Sequence, residues 1–497
     1  MRWTQTALGL LSVLAMMSLL GCQKAAVEQE SAGLKATDSL YSVGNTTVFI
    51  HDKSRAYDSV AGVNTGVRTL ITEIWYPADS VEGVRRATYG DYVFGSREAH
   101  KRMMTETTFF HLTPETVREG VTAQQMNAAM DELFERERAS YVDATPASAG
   151  EPFPVVVMTH GDAGSRYNMQ GVCELLAAHG YIVIAPEHTG NTPYSMTGED
   201  PALWEEGGDP EFKAEMATVL PLLDEMGMYN HNAQWGQTYA PGKDLMTPAG
   251  LQAFDAELLE RVNDLRAVIQ QLDVMNQGGR FEGKIDLDKL GLMGRSFGGA
   301  TTLAGLALVD QFKAGMAVVP PVLPDFRGMF PSDMLKPQGV ESTILASRGE
   351  TIFDRLHKPT LLLSGAEDKT IIGIEVMLAS ALEAPKPTPK QPLPMLYQLF
   401  KNSEQPAYWG LLANTNHGSF AESSPYWWPD IKPDTFPRVL TEGEDYTLLD
   451  ASKAHQIQQQ KALQFFDVYV KRDVAETPKL IANPFAADGL EWEVKTR

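Results

Sequence analysis

Leu290-Gly291-Leu292-Met293-Gly294-Arg295-Ser296-Phe297-Gly298-Gly299-Ala300 reads as a buried strand, a sharp turn, and a helix opened by small residues. Gly294-x-Ser296-x-Gly298 is the nucleophile-elbow pattern, in which serine occupies a strained turn and the flanking glycines let strand and helix backbones approach closely. Such a turn presents Ser296 Oγ at the carboxyl edge of a parallel sheet, the edge where open α/β sheets bind ligands. The pentapeptide alone is weak evidence. Its apolar strand and the Gly299-Ala300 helix start supply the context that makes Ser296 the candidate nucleophile.

Outward from this stretch, strand and helix patterns alternate. Phe153 to Met158 is a near-continuous apolar run, as expected of a strand buried on both faces. The glycine-rich loop His160-Gly161-Asp162-Ala163-Gly164-Ser165 follows, then an amphipathic helix over Met169 to His179 and a buried strand over Tyr181 to Ala185. Leu258, Val262, Leu265, Ile269 and Leu272 mark the helix before the elbow strand. Beyond the elbow, strands are expected at Ala314 to Val319, Lys358 to Gly365 and Tyr408 to Ala413, the last of the set. Helices are expected around Ile374 to Leu382 and Ser452 to Lys471. On the amino-terminal side, Thr46 to Asp52 and Arg68 to Tyr76 alternate as an antiparallel pair. The pattern predicts an α/β fold with a mostly parallel, doubly wound sheet. Its domain runs over 46–475, with insertions at about 96–140 (a surface helical pair), 189–250 (a lid or binding excursion) and 320–355. Residues 476–497 are left as a tail.

The 497 residues suffice for one large domain with insertions, and 43% hydrophobic with 21% charged residues is ordinary for a globular chain. A formal net charge of −22 without a Lys/Arg cluster argues against nucleic acid as a partner. The first residues read as a targeting segment: Arg2, then an apolar run over Ala7 to Leu20 that is too short to span a bilayer. The run ends in Leu19-Leu20-Gly21-Cys22, which resembles a bacterial lipoprotein lipobox. That resemblance implies removal of residues 1–21, acylation of Cys22, and a tether over 22–45. With no aspartate beside Cys22, it further implies an extracytoplasmic, lipid-anchored protein of the outer membrane. The other cysteine, Cys173, lies in an apolar helical pattern and reads as core.

A serine hydroxyl needs a base to take its proton, and the base needs a carboxylate; behind an elbow the chain order is Ser, acid, His. Three histidines follow Ser296. His357 precedes a strand, at the wrong edge of the sheet, and His455 sits in the closing helix. His417, in the polar loop after the Tyr408 strand, is the candidate base. Asp368, just past the Lys358 to Gly365 strand, is the candidate acid, with Asp325 as rival. The oxyanion of an acyl-transfer intermediate needs two backbone N–H donors. Phe297 supplies one, and the register of the His160 loop gives the other to Asp162. A carboxylate there opposes the oxyanion unless its side chain turns away. His160 is expected to order that loop rather than act as base. Tyr426-Trp427-Trp428 is a candidate acyl-pocket wall, lipid-facing patch or piece of core.

Val155 to Gly161, Ala178-His179-Gly180-Tyr181-Ile182-Val183, Glu187-His188, Arg295 to Thr302 and the His417 loop together resemble the platelet-activating-factor acetylhydrolase family and its bacterial dienelactone-hydrolase-like branch. The resemblance implies an α/β-hydrolase fold and a serine triad with neither metal nor cofactor. It also implies ester substrates, from short acyl and acetyl esters to polyesters. The acetylhydrolases carry their acid at a position that is here about Val319, followed by Pro320-Pro321; the bacterial branch carries it where Asp368 stands. A serine peptidase and a non-catalytic surface binding protein are the rival readings. The sequence leaves oligomeric state open.

Overall fold

The computed structural model describes residues 40–93, 97–104, 117–148, 150–192, 200–204, 208–230, 233–234, 237–238, 245, 247–322, 341–345 and 352–496. The expected leader, Cys22, the expected tether up to residue 39, Asp325 and most of the expected 320–355 insertion lie outside them.

Eleven strands make one sheet. In chain order they are β1 (Ser42–Asp52), β2 (Arg68–Ala78), β3 (Arg86–Thr88), β4 (Glu137–Val142), β5 (Phe153–Thr159), β6 (Ile182–Pro186), β7 (Ile285–Arg295), β8 (Phe312–Val318), β9 (Thr360–Gly365), β10 (Ala407–Leu412) and β11 (Leu490–Lys495). Their order across the sheet is β11-β10-β9-β8-β7-β5-β6-β2-β1-β4-β3. From β6 to β10 every neighbouring pair is parallel. These are the strands with apolar runs, since both of their faces are covered by helices. On one face α1 (Pro248–Gln277) packs on α2 (Phe297–Leu308); on the other, α3 (Gln170–Ala178) packs on α4 (Ala451–Phe466). One continuous hydrophobic core fills both layers. Cys173 is buried in it. This is the α/β-hydrolase arrangement, with antiparallel strands added at both ends.

The structure corrects three expectations. The 96–140 stretch holds helices at Arg97–Met104 and Ala123–Glu135, but it ends by running into β4, which lies parallel to β1. The strand after Pro406 is not the last. The chain returns in β11, antiparallel to β10, so the 476–497 tail is part of the sheet. Leu490, Trp492 and Val494 alternate with Glu491, Glu493 and Lys495 in the manner of an edge strand with one covered face. The amino-terminal strand begins at Ser42, inside the expected tether. The described part of the 189–250 excursion forms short helices at Pro201–Trp204, Pro210–Ala217 and Leu220–Glu225. Phe212, Met216, Val219 and Leu223 from these helices make a satellite core with Tyr57, Val63 and Val67. Among the described residues no helix is long and apolar enough to cross a membrane.

Candidate active site

Because β5, β7, β8, β9 and β10 are parallel neighbours, their carboxyl ends share one edge of the sheet, and the chain leaving β5, β7, β9 and β10 at that edge carries Asp162, Ser296 with Phe297, Asp368 and His417. Ser296 follows β7 at φ 57°, ψ −124°, a backbone region that side-chain-bearing residues rarely adopt. Its N–H donates to Val318 O at 2.9 Å, tying the turn to β8. The flanking glycines are required by close approach. A Cβ at 294 would lie 2.3 Å from Gly298 O, and one at 298 would lie 2.1 Å from Thr159 O. The turn thus packs directly on the end of β5.

His417 opens a short 3-10 turn, His417–Phe420, five residues past the end of β10. Its Nε2 lies 2.9 Å from Ser296 Oγ and its Nδ1 lies 2.8 Å from Asp368 Oδ2. Asp368 is fully buried and caps α5 (Lys369–Leu382), with its Oδ1 accepting the Ile371 N–H at 3.0 Å. An ionised aspartate only accepts. Nδ1 therefore carries the imidazole proton, and Nε2 is left to accept from the serine hydroxyl. Three residues spread over 122 positions of sequence form one hydroxyl–imidazole–carboxylate chain.

Neighbouring groups fix the base. The Arg295 guanidinium donates to the His417 carbonyl, while burial pushes Arg295 down to about 10 against the opposing pull of Asp368 and Tyr426. Asn416 Nδ2 donates to the Tyr426 hydroxyl at 2.9 Å, and the Tyr426 ring packs on Gly418. Tyr426 belongs to a buried cluster with Phe436, Tyr446, Leu448 and Ala451, Trp427 packs edge-on against His455, and Arg136 covers Trp428. Tyr426 is therefore a packing element under the His417 loop, whereas Trp427 and Trp428 are half-buried against His455 and Arg136. The acetylhydrolase acid position is closed: Val319 is fully buried, at φ 42°, with its N–H on Leu363 O at 2.7 Å.

The His160 loop lies against the serine, since a Cβ on Gly161 would be 3.1 Å from Ser296 Cβ. The N–H groups of Phe297 and Asp162 meet no acceptor among the described residues. The Asp162 carboxylate is held by Asn191 Nδ2 at 2.8 Å and Gln237 Nε2 at 2.7 Å. His160 is fully buried; its Nδ1 contacts Gly161 O at 2.7 Å and its Nε2 accepts the His188 N–H at 2.9 Å. Burial, then the Arg261 charge, hold it well below the usual histidine range. It is neutral and orders the loop, as expected.

A second hydroxyl–imidazole–carboxylate chain lies beneath the first. Thr159 Oγ1 is 2.6 Å from His188 Nε2, and His188 Nδ1 is 2.9 Å from Asp264 Oδ2. All three are fully buried, and Thr159 Oγ1 also accepts from Arg261 at 2.9 Å. No substrate reaches that hydroxyl, so the chain ties the ends of β5 and β6 to α1. Sequence reasoning passed over Arg261, Asn191, His188 and Asp264; only the Glu187-His188 dipeptide after β6 carried a signal. Among the described residues no cluster of His, Cys, Asp or Glu is arranged to hold a metal ion.

Residues 106–216 match the family model of platelet-activating factor acetylhydrolase, isoform II, and residues 261–427 match that of the prolyl oligopeptidase family. The platelet-activating factor acetylhydrolase of Cavia porcellus is 26% identical over 182 residues, which are 36% of this chain and 38% of that protein. The one from Canis lupus familiaris is 28% identical over 182 residues, with the same shares. The matched stretch thus spans well under half the length of these relatives. In overall structure the chain is similar to a ferulic acid esterase from Streptomyces cinnamoneus, with a TM-score of 0.54, 18% identity, and coverage of 93% of this chain and 98% of that one. That likeness is one of fold.

Proposed function

We propose that this α/β-hydrolase chain, related in part to platelet-activating factor acetylhydrolases, is a serine carboxylester hydrolase. The observation that carries the reading is the His417 imidazole bridging Ser296 Oγ at 2.9 Å and Asp368 at 2.8 Å. In the first half-reaction Ser296 Oγ attacks the ester carbonyl while His417 Nε2 takes its proton. The carbonyl oxygen becomes an oxyanion and accepts from the Phe297 and Asp162 N–H groups. Collapse breaks the bond to the alcohol, which leaves with the proton from His417, and the acyl group stays on Ser296. Water then gives its proton to His417 and attacks the acyl carbon. The second collapse releases the acid and returns the proton to Ser296. Asp368 holds the Nδ1–H tautomer throughout and stabilises the imidazolium.

Short acyl esters, acetyl esters and polyesters are the substrate classes we favour, on the family resemblance of the motifs. The lipobox-like Leu19 to Cys22 supports a lipid-anchored protein at the bacterial outer membrane. The soluble form lacking residues 1–22 should turn over p-nitrophenyl esters, and Ser296→Ala should abolish this with an unchanged melting curve. Retained turnover refutes the assignment. The prolyl oligopeptidase match over 261–427 favours a second reading, a serine peptidase. Cleavage of peptide amides without ester turnover would select it.

A further inference from the structure

An aspartate at an oxyanion donor position is a liability. Its N–H is useful, but its carboxylate sits one residue's width from a developing negative charge. The structure shows how that carboxylate is directed. Asp162 Oδ1 accepts from Asn191 Nδ2 at 2.8 Å and from Gln237 Nε2 at 2.7 Å. Asn191 is itself fixed, because its Oδ1 accepts from Arg261 Nη1, which orients the amide with its NH2 toward Asp162. Arg261 is fully buried on α1 and contacts both segments that carry the oxyanion donors. Its Nη2 donates to the His160 carbonyl, two residues before Asp162, and to Thr159 Oγ1 at 2.9 Å. Its Nε donates to Thr301 Oγ1 at 2.9 Å, and its guanidinium lies 4.7 Å from the centre of the Phe297 ring. One planar fork thus registers the loop carrying one N–H against the helix start carrying the other.

We propose that Arg261 and Asn191 are positioning residues for the oxyanion pocket: Arg261 sets the His160–Asp162 loop against Phe297 and orients Asn191, which turns the Asp162 carboxylate off the pocket. Neither touches the reacting atoms. The proposal rests on the esterase reading above and adds to it the reason an aspartate is tolerated at 162.

The test is a double-mutant cycle on p-nitrophenyl acetate hydrolysis with Asn191→Asp and Asp162→Ala. Asn191→Asp keeps the shape and the Arg261 partner but replaces the donor facing Asp162 with an acceptor. It should lower kcat by about ten- to a hundredfold, less than or equal to the loss of a whole oxyanion donor, with KM little changed. Asp162→Ala keeps the backbone N–H and sets its own baseline. Against that baseline Asn191→Asp should cost less than about twofold, because there is no carboxylate left to direct. Arg261→Lys should lower kcat in either background, since a point charge cannot hold the loop and Asn191 together. If Asn191→Asp does not fold, Asn191→Ser serves the same cycle. An equal loss from the residue 191 substitution with and without Asp162 overturns the proposal alone. A wild-type protein that neither hydrolyses the ester nor is labelled at Ser296 by a fluorophosphonate overturns the esterase reading, and the proposal with it.

Discussion

Substituting Asp368 by asparagine separates two jobs that one carboxylate performs. Oδ1 caps α5 through the Ile371 N–H at 3.0 Å, and Oδ2 receives the His417 Nδ1–H at 2.8 Å. An asparagine has one oxygen and one NH2. If the oxygen keeps the cap, the NH2 faces Nδ1 and donates to it. The imidazole proton then moves to Nε2, which donates to Ser296 Oγ and can no longer take its proton. The cap thus enforces the wrong tautomer. An inverted tautomer in such a triad costs about four decades in kcat, or about 5.4 kcal/mol of transition-state stabilisation. The fold should hardly notice, because asparagine caps helices as well as aspartate does. Asp368→Ala loses both roles, so about 1 kcal/mol of stability should go with the activity. Ester turnover and urea unfolding of both variants make the measurement. Asp368→Asn retaining more than about a tenth of wild-type kcat refutes the assignment of the acid, since no tautomer argument tolerates that much residual base. A larger loss in Asp325→Asn would then name its replacement.

Other consequences are measurable separately. Gly298→Ala places a methyl 2.1 Å from Thr159 O, so the elbow or β5 must shift; at least about 1–3 kcal/mol should be lost in denaturant unfolding, together with activity. Tyr426→Phe removes the hydroxyl that anchors Asn416, which should cost about 1 kcal/mol and lower kcat more than it raises KM. Glu375 is fully buried and accepts the Met395 and Leu396 N–H groups at 2.9 and 3.0 Å, yet burial raises its carboxyl from 4.5 to about 7. Between those values the native state binds more protons than the unfolded chain. Stability should therefore be fully present below pH 4.5 and fall toward pH 7, by up to about 3 kcal/mol. Glu375→Gln should flatten that part of the curve of unfolding free energy against pH, and an unchanged slope would assign it to another group.

The central strands were legible because burial on both faces writes itself as uninterrupted apolar sequence, as in Phe153–Thr159 and Thr360–Gly365. Chain order and edge placement were enough to select His417 over His357 and His455. The sheet's outer members were harder. β4 reads Glu-Arg-Ala-Ser-Tyr-Val and earns its place through pairing with β1, nearly a hundred residues away. β11 did carry a period of two, but six residues at the end of a chain say little about what they pair with. The direction of the Asp162 carboxylate was illegible for a similar reason. Its partners stand 29 and 75 residues downstream, and Arg261 reaches across about a hundred to touch Thr159 and His160. Hydrogen-bonded networks of this kind leave no periodicity in sequence. The two hydroxyl–imidazole–carboxylate chains make the point most sharply: the one at Ser296 sits partly exposed on a strained turn, and the one at Thr159 is fully buried beside Arg261.

The seam between β10 and β11 bears on how the base is held. β11 covers the outer edge of β10, the strand from which the chain leads to His417. Without that pairing β10 presents a bare row of amides and carbonyls. The order of the imidazole's surroundings therefore depends on a strand that lies about seventy residues further along the chain.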